Sequence, residues 1–64
     1  MKMKLPRTDM EIMAVELAKE EMRLRKMKSN NRSYSERVGA WMERRTRFAQ
    51  VYGISPDIVY DSIP

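Results

Sequence analysis

The sequence predicts an all-α fold, a single small domain of three or four helices spanning residues 1–64. Three observations carry this reading. The stretches from residue 9 to 28 and from residue 35 to 52 together hold one glycine and no proline. Apolar side chains recur along both at the helical period of 100° per residue. Capping patterns stand where each stretch begins.

Thr8 followed by Glu11 is a capping box, in which hydroxyl and carboxylate each satisfy an orphan N–H at a helix start. A first helix is predicted from there to about Lys28, with Asp9, Glu11 and Glu16 early and Arg23, Arg25, Lys26 and Lys28 late. That order complements the helix macrodipole. Residues 1–7 are expected as a flexible basic arm, and Ser29-Asn30-Asn31-Arg32-Ser33 supplies turn formers. A second helix begins at a Ser33–Glu36 capping box or at Ser35 and runs to Tyr52, either whole or broken in two. Gly53 suits a left-handed C-terminal position. Ser55-Pro56 reads as an N-cap followed by a proline in the first turn of a short helix ending near Ser62, with Ile54 and Val59 as its hydrophobic staple.

Met10, Met13, Ala14, Leu17 and Leu24 form the core stripe of the first helix, and Val38, Trp41, Met42, Phe48, Ala49 and Tyr52 that of the second. Glu21 and Arg45 interrupt these stripes. Two arrangements fit: a partly buried Glu21–Arg45 pair with the Arg stem over Trp41 or Phe48, or a kink near Glu43 that turns Arg45 outward. Ile12, Val15, Ala18 and Met22 lie off the main stripe of the first helix, and one intramolecular layer cannot cover them all. Together with the adaptability of seven methionines, they suit either filler in an irregular core or a partner-binding face. A chain this short buries only roughly 60% of its unfolded surface, so docking or a homodimer is expected.

Composition excludes several function classes. With neither His nor Cys there are no disulfides, thiolate nucleophiles, zinc fingers or imidazole catalysts. No catalytic residue, metal site or cofactor is expected, and the protein is not expected to be an enzyme. Apolar residues make up 42% and charged residues 34%, too hydrophobic for a disordered tail and rich in ions for a folded one. The beginning of the chain is charged but has no apolar segment behind it, and no stretch approaches the ~20 apolar residues of a membrane span. A cytoplasmic location without a membrane partner is expected.

The net charge of +4 is uneven. Between Met22 and Arg47 lie nine basic residues, mostly Arg, against only Glu36 and Glu43. Arg suits phosphate and carboxylate partners through its planar fork. The band therefore reads as a phosphate-binding surface carried by Arg23, Arg25, Lys28, Arg32, Arg44 and Arg47, or as a solvated helical face with i,i+4 pairs such as Glu21–Arg25. Lys2, Lys4 and Arg7 fit a minor-groove arm or an ordinary charged end. Trp41 is expected in the core, and Tyr34 serves equally well as a packing or a base-stacking residue.

Phe48-Ala49-Gln50-Val51-Tyr52-Gly53-Ile54-Ser55-Pro56-Asp57-Ile58-Val59-Tyr60 resembles the helix-turn-helix of resolvase-, transposase- and terminase-type DNA-binding proteins. The shared features are small Ala49, aromatic Tyr52, turn Gly53, Ile54-Ser55 and Val59-Tyr60. The resemblance implies that the long N-terminal helix packs on a helix-turn-helix-like C-terminal half. The third helix would be the recognition helix, turning Pro56, Asp57, Tyr60 and Asp61 towards the major groove. Two aspartates stand where such helices carry basic or amide side chains, so binding is expected mainly through phosphates. The resulting expectation is a small nucleic-acid-associated regulator, with DNA ahead of RNA, of the kind found as phage or mobile-element accessory factors. The alternative is a protein-binding adaptor or inhibitor that grips an acidic protein, or its own copy, through Ile12, Val15, Ala18 and Met22.

Overall fold

A computed structural model describes residues 4–27 and 32–64. It contains three helices, α1 (Asp9–Lys26), α2 (Arg32–Tyr52) and α3 (Pro56–Ser62), and no strand among the described residues. None of the helices is long and apolar enough to cross a membrane.

α1 starts as its sequence dictates. The Glu11 N–H donates to Thr8 Oγ1 at 3.2 Å, and Glu11 Oε1 accepts from the N–H groups of Arg7 at 2.8 Å and Thr8 at 3.1 Å. The Arg7 N–H, with help from Thr8, holds the Glu11 carboxyl below its ordinary pKa by favouring the charged form. At the other end, the Met27 N–H closes on the Leu24 carbonyl at 3.2 Å.

α2 runs unbroken from Arg32, so Ser33 and Ser35 lie inside it rather than capping it. Its C-terminus follows expectation: Gly53 adopts φ 68°, a left-handed conformation costly for a residue with a Cβ, and donates its N–H to the Ala49 carbonyl at 2.8 Å. Ser55 then caps α3, accepting from the Asp57 N–H at 3.3 Å, with Pro56 in the first turn.

The core is the seam where the three helices meet. Ala14 and Leu17 of α1, Phe48 of α2 and Val59 of α3 are buried together, with Met10, Trp41, Ile54 and Tyr60 packed against them. Leu24 and Ile63 are buried as well. Trp41 extends its indole N–H to the Leu17 carbonyl at 2.9 Å, joining α2 to the middle of α1. Four members of the expected stripes leave the core: Met13, Met42, Ala49 and Tyr52 are exposed. Tyr52 sits at the rim, its ring 4.7 Å from that of Phe48 and its hydroxyl 3.7 Å from Met13 Sδ.

α1 lies against both other helices, whereas α3 touches α2 least. α3 approaches the side of α1 away from its main stripe, so Ala18 and Met22 share a hollow with Asp57, Tyr60 and Asp61. The molecule is a slab of 35 × 32 × 15 Å.

Residues expected as a flexible basic arm have partners in this fold. Lys4 Nζ donates to the Ile63 carbonyl at 3.1 Å and stands 4.8 Å from the centre of the Tyr60 ring. The Leu5 N–H reaches the Pro64 carbonyl at 3.4 Å. Lys2 lies outside the described residues.

Candidate nucleic-acid interface

Helical spacing arranges the cations. On α1, Lys19 and Arg23 are one turn apart, as are Glu16 and Glu20. On α2, Arg37 and Arg44 are seven residues apart, which returns them to one side of the helix, and Arg47 follows one turn later. The α1·α2 packing turns these two rows towards each other. Glu16, Lys19, Glu20, Arg23, Arg37 and Arg44 line a hollow of about 540 Å³. A second hollow of about 240 Å³ lies beside it, with Glu16 and Arg44 on its wall again and with Met13, Leu17 and Arg47. The two hollows form one groove with five basic and two acidic side chains.

Within the groove Arg23 is 3.2 Å from Glu20, an exposed i,i+3 pair. Such pairs contribute little and release readily to a stronger anion. Lys19, Arg37, Arg44 and Arg47 form no ion pair among the described residues. Mutual repulsion between such cations favours an anion between the helices.

Of the residues singled out from sequence, Arg23, Arg44 and Arg47 come together here. Arg25 does not, because its Nη2 bonds Glu21 Oε2 at 2.7 Å on another surface. Arg32 is exposed at the start of α2 and lines neither hollow, and Lys28 lies outside the described residues. Lys19 and Arg37 were missed as site residues. Their signal was helical spacing, four residues before Arg23 and seven before Arg44.

Arg45 is excluded for a different reason. Its Nη2 lies 2.6 Å from Asp57 Oδ2 and its guanidinium carbon 4.9 Å from the Trp41 ring centre. The Glu21–Arg45 pair therefore does not form, and each residue has another partner. Both line a hollow of about 340 Å³ with Arg25, Asp57 and Asp61, where three carboxylates face two guanidiniums. That surface is acidic by one charge, whereas the groove is basic by three.

The α3 residues implied as facing the major groove differ in their surroundings. Pro56 is buried, Tyr60 is half-buried beneath Lys4, and Asp57 is engaged by Arg45. Asp61 is exposed beside them. The proposed partner-binding arc is also divided: Ile12 is 42% and Met22 55% exposed, whereas Val15 and Ala18 are half-buried. Tyr34 is half-buried in the first turn of α2. Comparison of the chain with protein-family models, with curated proteins and with solved structures finds no match.

Proposed function

We propose that this chain is a small basic nucleic-acid-associated regulatory protein whose contacts are chiefly to phosphates. One observation carries the reading: Lys19, Arg23, Arg37, Arg44 and Arg47 converge on the groove between α1 and α2, four of them without a carboxylate partner among the described residues. Arg presents several N–H donors in a plane that matches phosphate oxygens, and the low local density of counter-charge leaves these donors available. In this reading α3 braces the core instead of reading bases. Its exposed acids would be repelled by phosphates, and Arg45 neutralises only Asp57.

The test is affinity for nucleic acid across about 50 to 200 mM salt. Binding should weaken steeply as salt rises. Replacing Arg37, Arg44 and Arg47 together by Gln should flatten the slope of log affinity against log salt by about 2 on a single strand and nearly 3 on a duplex, whereas Arg25→Gln should leave it nearly unchanged. No binding at the lowest salt would reject the proposal. A second reading, a protein-binding adaptor, rests on the exposure of Ile12 and Met22. It predicts a homodimer or a heterologous complex that survives high salt and is lost on Ile12→Ser or Met22→Ser.

A further inference from the structure

The smaller end of the groove differs in chemistry from the larger. Its floor is apolar, made by Met13 and Leu17, and its rim carries Arg44 and Arg47 with Glu16 between the two hollows. Met13 is exposed, with the Tyr52 hydroxyl 3.7 Å from its Sδ, so a polarizable thioether stands at the mouth of this hollow. The geometry points to single-stranded nucleic acid as the ligand, with one unstacked base lying on Met13 and Leu17 while Arg23, Arg37, Arg44 and Arg47 follow its backbone. This rests on the phosphate-binding reading and extends it to the form of nucleic acid.

Size and charge both favour a single strand. Hollows of about 540 and 240 Å³ have room for single nucleotides but not for the stacked base pairs of a duplex, which could only lie across the groove. An apolar floor of about 240 Å³ gains nothing from a phosphate but accepts the flat face of a base, and guanidinium planes at the rim can stack on it. Glu16 repels phosphate and accepts a hydrogen bond from an exocyclic amine, so it selects a base edge at the position where the hollows join.

The experiment compares a short oligodeoxycytidylate, the same backbone with abasic residues, and the matching duplex, by fluorescence anisotropy at low salt. The single strand should bind about fivefold or more tightly than the abasic strand, and more tightly than the duplex. Met13→Ala, with its helix content checked by circular dichroism, should narrow the gap by weakening only the base-bearing strand. Equal binding of abasic and base-bearing strands would overturn the inference while leaving phosphate binding in place, and so would a preference for the duplex. If none of the three binds, both the inference and the function beneath it fall.

Discussion

Arg45 bridges two helices through a side chain that is 30% exposed, while its partner Asp57 is 63% exposed. Water screens the carboxylate, so the pair contributes under about 1 kcal/mol despite its 2.6 Å separation. The guanidinium over Trp41 adds a cation–π contact of similar size. A double-mutant cycle with Arg45→Gln and Asp57→Asn should give a coupling of about 0.5 kcal/mol, and one with Arg45→Gln and Glu21→Gln should give none. Equal couplings measured by denaturant unfolding would contradict this partition. Glu21 goes to Arg25 because a partner one turn away needs no tertiary ordering. The Glu21–Arg25 pair was legible in the sequence for that reason. Arg45's choice of Asp57 depends on where α3 is placed beside α2, which the periodicity of one helix does not encode.

At the scale of elements, the capping box of α1 makes a prediction with a definite sign in pH. Glu11 has its pKa lowered in the folded state, first by the Arg7 N–H and then by Thr8. A depressed carboxylate contributes stability that is present above its unfolded pKa and lost as pH falls through the folded value. Glu11→Gln should therefore weaken the loss of Tm over the acid range of carboxylate titration, while Thr8→Ala should cost about 1 kcal/mol at neutral pH. A Thr8→Ala protein with unchanged denaturant midpoint would show that the cap contributes nothing. Ends of this kind were readable because their partners lie within four residues. The start of α2 was not, since Ser33 with Glu36 spans one turn and fits a helix interior as well as its beginning. The site was partly readable in the same sense. Arg23, Arg44 and Arg47 stood out by basic density, but Lys19 lay outside the dense stretch, and the facing of two helices selected it together with Arg37.

The whole molecule is open for its mass. Its surface of 5421 Å² compares with about 4,300 Å² expected for a compact chain of 7.6 kDa, in keeping with its thin, slab-like shape. Large apolar side chains such as Met42, Val51 and Ile58 remain exposed as a result. The same flatness leaves the cations of the groove poorly offset, so the free protein carries a self-repulsion that salt relieves. Raising salt from about 50 to 200 mM should lift the Tm of the unbound chain by roughly 2–4 °C, opposite in direction to its effect on nucleic-acid affinity. A Tm that falls over this range would show that the Glu21–Arg25 and Arg45–Asp57 pairs outweigh the groove.

Lys4 and Ile63 meet across 59 positions of sequence, with Leu5 and Pro64 beside them. A seven-residue helix has too few turns to persist unaided, so α3 keeps its shape only while neighbours hold it. The clasp makes opening a shared event: when the residues before α1 peel away, the stretch after α3 loses its tether, and the two far regions of the chain breathe as one cooperative unit.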